Sequence, residues 1–436
     1  MVFMVNQNGK VVITGMGALT PIGNYGVMPN GVEVDTFLSG LREGRNGISS
    51  LEDRFGEDFP IKVAGQIEEF NPTDYGIDGT EIRKLDRTAL LGIAATELAI
   101  GDAGIVFGEG NEKVSPGNLG ISLGIGVGSA NTTYDQAKRH FRGKRLKSQT
   151  VPRIMQNSAA AQISIHYGLK GAVDTLSSAC ASGGSAIRHG CNRLKFENEG
   201  IIVVGGLDSC LTPFAFEGFY MMGALSPTTE PIYRVYCKKK RIPRGRGGFV
   251  MGEGSGILIL ESEEHALQRK ARIYAEIAGY AETADAMDIA HPDEKGGGLV
   301  RAIQSAFEMA GVGPEDIDYV NSHGTGTMND YIENEVMHKI FGERAESVPI
   351  SSTKPMIGHL IGGGTSVEII ASVLGMYKHF IHPLINLRNP INDLNYVREV
   401  RENVDLKYIL KFSSGFGGHN VAFVLKYYEP NIHRAV

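Results

Sequence analysis

One cysteine in this chain has the surroundings of a nucleophile. Cys180 lies in Asp174-Thr-Leu-Ser-Ser-Ala-Cys180-Ala-Ser-Gly-Gly-Ser-Ala-Ile187. The residues before it read as a strand, and those after it as a helix of small residues. A cysteine at that junction sits on a sharp turn, against the free backbone N–H groups and positive dipole end of the helix, which favour the thiolate. The thiolate is the reactive form in covalent catalysis. Buried, inert cysteines are common, so Cys180 alone leaves both roles open.

Two histidines and a lysine downstream change the balance. His323 lies in Val320-Asn-Ser-His323-Gly-Thr-Gly-Thr327, and Lys354 and His359 share Ser351-Ser-Thr-Lys354-Pro-Met-Ile-Gly-His359. Each motif follows a short apolar or β-prone run and occupies a turn rich in Gly, Ser and Thr. Such strand-end loops are where catalytic groups usually lie. A lone histidine there is more often structural. With one cysteine, the set suggests a Cys-His-His site with an orienting lysine.

These groups need a frame that carries residue 180 to residues 323–359. Strand-like runs fall at Val11–Thr14, Leu119–Gly124, Asp174–Ser177, Ile201–Gly205 and Gly256–Leu260, with helical patterns at Arg87–Ala103 and Ser182–Glu197. The second half repeats the theme: strands at Ile273–Ile277, Asp318–Asn321, Tyr408–Phe412 and Val421–Tyr427, helices at Gly298–Ala310 and Gly364–Lys378. This alternation predicts an α/β fold of largely parallel strands covered by helices. The expected halves are 1–265, with the nucleophile, and 266–436, with the histidines and lysine. Leu176-Ser-Ser-Ala-Cys180 faintly echoes Ile350-Ser-Ser-Thr-Lys354.

Together these residues resemble the β-ketoacyl-[acyl carrier protein] synthases, the decarboxylating condensing enzymes of fatty acid and polyketide synthesis. The opening Val11–Gly23, Ser158–Gly171 before the nucleophile, Phe249–Glu261 and the glycine loop Ser414-Gly-Phe416-Gly-Gly-His-Asn420 extend the resemblance over nearly the whole chain. It implies a thiolase-like duplicated fold of layered helices and mixed sheets, with the active site between the halves.

The resemblance also implies a mechanism. Cys180 takes an acyl group from a carrier-protein thioester. A malonyl thioester then loses its carboxylate, and the enolate is stabilised by N–H donation from neutral His323 and His359. The enolate attacks the acyl-Cys180 carbonyl. Backbone N–H groups of Cys180 and Phe416 form the oxyanion hole, and Lys354 orients the histidines. No metal or organic cofactor is required. Val127 and Ser414 correspond to pocket positions, and Arg83, Lys84 and Arg87 to a segment that faces the acidic carrier; a solvated helix face is the equal alternative. Asp330 and Glu333 read as capping and salt-bridging the next helix.

Three departures from the family pattern stand out. Ser414 replaces a usual phenylalanine, as in ketosynthase subunits of type II polyketide systems. The basic segment Lys238–Arg246 is unlike the usual one, and Gly247 falls where an aspartate is expected. Thr327-Met-Asn-Asp330 is one residue short. Two other functions stay in view: a non-catalytic chain-length partner, against which Cys180 argues, and a thiolase acting on coenzyme A thioesters. A thiolase needs a second cysteine in the C-terminal loop, and Gly415–Asn420 has none.

Composition narrows the rest. The 436 residues carry a net charge of −6, which argues against a generally basic nucleic-acid binder. Cys180, Cys191, Cys210 and Cys237 lack metal-ligand or disulfide-scaffold spacing, which fits a reduced cytoplasmic setting. No signal peptide or membrane span is expected. The expected partners are acyl carrier protein and a dimer mate, either a second copy or a chain-length-factor-like homologue.

Overall fold

The computed structural model describes residues 9–109, 113–197, 199–226, 228–238 and 247–429. Among the described residues, five strands form the first half of the main sheet path: β1 (Val11–Thr20), β2 (Gly120–Ile125), β3 (Val173–Leu176), β4 (Ile201–Asp208) and β5 (Gly254–Ser262). Five more form the second: β6 (Ala275–Ala284), β7 (Tyr319–Asn321), β8 (Ile350–Ser351), β9 (Tyr408–Gly415) and β10 (His419–Tyr427). They make one continuous path, β8-β7-β9-β10-β6-β1-β5-β4-β2-β3.

The duplication is explicit in this order. Counted outward from the centre, the first half runs β1-β5-β4-β2-β3 and the second β6-β10-β9-β7-β8. In both, the first two joints are antiparallel and the last two parallel. The sheets are therefore mixed, and the expectation of largely parallel strands is corrected. A short antiparallel contact, Val12 opposite Glu276 and Ile13 opposite Ala275, joins the halves.

Even the irregularities repeat. The register slips between Ile13 and Gly15 in β1, and between Ile277 and Gly279 in β6. Helix α1 (Arg87–Asp102) crosses Gly15 and α3 (Gly297–Ala310) crosses Gly279. A Cβ on Gly15 would lie 2.5 Å from the Ala99 carbonyl oxygen, and one on Gly279 would lie 2.1 Å from that of Ala306. Only glycine lets helix and strand approach so closely.

Helices α2 (Ser182–Phe196) and α5 (Gly364–Tyr377) cover the opposite sheet faces and meet between the halves. Helix α5 is buried from Gly364 to Met376, so its sequence has no polar face to read. Each helix is preceded by a 3₁₀ turn, Ala179–Ala181 before α2 and Ile361–Gly363 before α5. Both turns begin on a left-handed residue: Ala179 and Ile361 each have φ of 51°. The turn holding Cys180 thus corresponds to Ile361–Gly363, not to Lys354 as the sequence echo implied. Lys354 and His359 lie in an insertion ahead of that turn, on the short helix Lys354–Ile357 and the loop after it. No helix of the described residues is long and apolar enough to cross a membrane.

Candidate active site

Cys180 stands at the entry to α2, with left-handed Ala179 turning the chain beneath it. Strain of this kind costs on the order of 1–3 kcal/mol and persists where the surrounding structure enforces it. The backbone N–H groups of Phe416 and Cys180 favour its thiolate form. Burial nonetheless pushes the thiol up to about 12, outweighing the Lys354 ammonium and those N–H groups. Burial thus opposes the helix start and the Lys354 ammonium at this thiol.

His323 follows β7 on a loop held from below by α4 (Asn329–Phe341). The Glu333 carboxylate accepts the Gly324 N–H at 3.0 Å, and Asp330 accepts those of Thr325 at 3.0 Å and Gly326 at 2.9 Å. Tyr236 ties into the same pair, its N–H to Asp330 at 2.6 Å and its hydroxyl to Glu333. The acidic pair thus fastens the His323 loop, where the sequence suggested capping and salt-bridging of the helix. Burial, with the neighbouring Asp330 charge, raises Glu333 to about 7.

Lys354 joins the two histidine segments. Its Nζ lies 3.2 Å from His323 Nδ1, 2.6 Å from the His323 carbonyl oxygen and 2.5 Å from Glu368 Oε1. An ammonium only donates, so His323 Nδ1 must accept. The neutral ring then carries its proton on Nε2. His359 is set alike: the Ile361 N–H donates to its Nδ1 at 3.3 Å. Burial, first, and the Lys354 charge hold both imidazoles well below their ordinary pKa. Two neutral rings, centroids 5.5 Å apart, each reserve an Nε2–H donor. Cys180, His323, His359, Phe249, Ser414 and Phe416 line one cavity of about 770 Å³.

Three buried charges here were not singled out in the sequence. Glu368 of α5 bridges Lys354 and Lys411, whose Nζ lies 2.7 Å from Glu368 Oε2. Asp208 closes β4 and accepts the N–H groups of Gly126, Val127, Gly128 and Gly362, tying the loop after β2 to the turn before α5. Burial raises Asp208 to about 6 despite those bonds.

The remaining predicted residues separate. Ser414 lines the cavity, and its hydroxyl donates to Asn420 Oδ1 at 2.7 Å. Asn420 in turn donates to Asp285 at 2.8 Å. Val127 is not among the lining residues; it packs on the core beside the cavity. Gly247 does line it. Arg83 and Lys84 are exposed at the end of the helix Gly79–Lys84. Arg87 is not a free surface cation: it grips buried Glu253 with Nη2 at 2.7 Å and Nε at 2.8 Å. Of the basic segment Lys238–Arg246, residues 239–246 lie outside the described residues.

A second basic stretch was missed. Lys138, His140, Arg142, Lys144, Arg145 and Lys147 are all exposed, on and after the helix Ala130–Phe141. Asp86 accepts the Thr132 N–H at 2.8 Å, and Arg153 donates to the Leu85 carbonyl at 2.7 Å. These bonds fasten the stretch beside the segment that carries Arg83 and Lys84.

Residues 8–266 match the N-terminal domain of beta-ketoacyl synthases, and residues 274–388 match their C-terminal domain. The chain is 35% identical to 3-oxoacyl-[acyl-carrier-protein] synthase 2 of Synechocystis, over 97% of this chain and 99% of that protein. It is 36% identical to the protein of the same name from Staphylococcus aureus strain COL, over 98% and 100%. Among solved structures, the ishigamide ketosynthase/chain length factor superposes with a TM-score of 0.86 at 29% identity, covering 97% of this chain and 100% of that one. With both domain models matched in order and relatives aligned end to end, this chain belongs to the beta-ketoacyl synthase family.

Proposed function

We propose that the chain is an acyltransferase that condenses an acyl group on Cys180 with malonyl-[acyl carrier protein], releasing carbon dioxide and 3-oxoacyl-[acyl carrier protein]. The observation that carries this reading is one cavity lined by a thiol and two neutral imidazoles whose Nδ1 atoms are already occupied. Acylation transfers the Cys180 proton to the departing carrier thiolate. Decarboxylation then leaves an enolate whose oxygen the two Nε2–H groups stabilise. Such preorganised donors act without reorganisation cost at the moment of reaction. The enolate carbon attacks the acyl carbonyl, whose oxyanion is met by the N–H groups of Cys180 and Phe416. Collapse expels the Cys180 thiolate, which recovers a proton from solvent. In this reading half 1–265 supplies the nucleophile and half 266–436 the donors.

The carrier protein docks, in this reading, on the basic face formed by Arg83, Lys84 and the exposed run from Lys138 to Lys147. The dimer mate is a second copy or a chain-length-factor-like homologue, the latter supported by the ketosynthase/chain length factor likeness. Four free thiols fit a cytoplasmic setting. A finer reading concerns the acyl chain. Ser414, hydrogen-bonded to Asn420, gives the cavity wall a polar group where a phenyl ring is usual, which favours long or partly oxidised polyketide or polyene chains over saturated ones.

Acyl-carrier-protein thioesters and mass spectrometry test the central step. The acyl mass increment is expected on Cys180 and absent in Cys180→Ala. His323→Ala and His359→Ala are expected to acylate still, while malonyl decarboxylation falls about a hundredfold to a thousandfold. Acylation on Cys191 or Cys210, or near-normal decarboxylation in both histidine variants, would overturn the assignment.

A further inference from the structure

Lys411 is a fully buried cation in the middle of β9, where its neighbours Leu410 and Phe412 are apolar and equally buried. A lysine is rarely placed so unless it is paired. Its Nζ reaches Glu368 Oε2 at 2.7 Å, the Phe412 carbonyl oxygen at 2.6 Å and the Ser322 carbonyl oxygen at 3.4 Å. Ser322 immediately precedes His323. Glu368 therefore sits between two ammonium groups, one oxygen to each, and the trio Lys354–Glu368–Lys411 carries one net positive charge beside the histidines.

We propose that Lys411 is a positioning residue for the condensing reaction: by holding the far oxygen of Glu368, it keeps the Lys354 charge only half neutralised and maintains a positive field at the site where the enolate forms. The inference rests on the decarboxylating reading of the site. Without Lys411, Glu368 would neutralise Lys354 alone, and the field would lose one unit of charge. In a low-dielectric site such a charge is felt well beyond contact distance. The groups that face or couple to Lys411 are Glu368 from α5, Lys354 from the inserted helix, Glu333 from α4, and the imidazoles of His323 and His359. Burial, with Lys354 adding to it, lowers the Lys411 pKa to about 8 against the opposing pull of Glu368. The extra charge is thus present below that pH and lost above it.

The test is the pH profile of malonyl-[acyl carrier protein] decarboxylation from pH 6 to 9.5 in wild type, Lys411→Met and Lys411→Arg. Methionine removes the charge, keeps an unbranched stem and leaves Glu368 paired with Lys354. Arginine keeps the charge and does not titrate in this range. Wild type is expected to lose rate on an alkaline limb centred near 8. Lys411→Met is expected to run on the order of tenfold slower below that limb and to lack it. Lys411→Arg is expected to restore the rate and to lack the limb as well. Thermal melting of each variant separates field from folding, and an unfolded Lys411→Met leaves the arginine profile to decide. A wild-type limb kept unchanged in Lys411→Arg would overturn the inference. So would a Lys411→Met variant with wild-type rate. A wild type that does not decarboxylate the malonyl thioester at any pH would instead overturn the decarboxylating reading itself.

Discussion

Lys354 holds His323 at two points, its Nζ 3.2 Å from the ring Nδ1 and 2.6 Å from the carbonyl oxygen of the same residue. One cation therefore fixes both the tautomer and the backbone that presents it. The third donor of the ammonium is taken by Glu368 at 2.5 Å. Nothing in this arrangement leaves Lys354 a free lone pair for nucleophilic attack, so its work is done through His323.

Removing that cation has a spectroscopic consequence. A nearby positive charge disfavours imidazolium, so the pKa of His323 rises when the charge goes. In wild type, selectively labelled His323 is expected to show no NMR titration between pH 8 and 5.5, because burial and Lys354 keep it neutral. In Lys354→Met its titration is expected to move upward toward the ordinary histidine range. Decarboxylation is expected to fall on the order of a hundredfold, as for loss of a preorganised donor. A His323 resonance that titrates identically in both proteins would remove Lys354 from the role of tautomer lock.

The resting state of Cys180 gives a second expectation. Burial pushes its thiol up to about 12, against the pull of Lys354. Alkylation by iodoacetamide, followed by mass spectrometry at Cys180, is expected to rise about tenfold per pH unit between 7 and 9, since the thiolate is the reacting species. A plateau beginning at or below pH 7 would mean that the helix start and Lys354 outweigh desolvation, and that the nucleophile rests ionised.

How much of this was legible beforehand follows from periodicity and burial. The nucleophile, both histidines and Lys354 stood out because they lie in glycine-rich loops between patterned elements. Lys411 did not. In a sheet covered on both faces strands lose the inside-outside alternation, so a lysine in Tyr408–Phe412 carries no visible sign of facing inward. Glu368 was the more legible of the pair: a single carboxylate in the apolar run Ser366–Met376 is a buried charge waiting for a partner. Arg87 was misread for the opposite reason. It sits in a charged stretch with Arg83 and Lys84, and only the fold reveals that buried Glu253 takes it inward. The strand order within each half, with its repeated bulge, depends on long-range pairing that no local pattern encodes.

The last prediction concerns the acyl chain. Ser414 lines the cavity, and its hydroxyl is satisfied by Asn420, which is itself held by Asp285 at 2.8 Å. Phenylalanine at this position would do two things. It would fill part of the cavity of about 770 Å³, and it would leave the Asn420 oxygen without its donor. A buried polar group stripped of its partner costs on the order of 1–3 kcal/mol, so some loss of stability is expected along with the change in shape. If the polar wall serves long or partly oxidised chains, Ser414→Phe should cut their turnover more than that of a short saturated chain. Ser414→Ala separates the two effects, because it removes the hydroxyl without adding bulk. It should cost affinity for an oxidised chain while leaving chain length tolerated. Steady-state kcat/KM for one polyene-type and one short saturated acyl thioester, measured with the native dimer mate where one exists, checks this. Equal losses on both substrates in Ser414→Phe, or a wild type that turns over only saturated chains, would return the reading to ordinary fatty acid elongation.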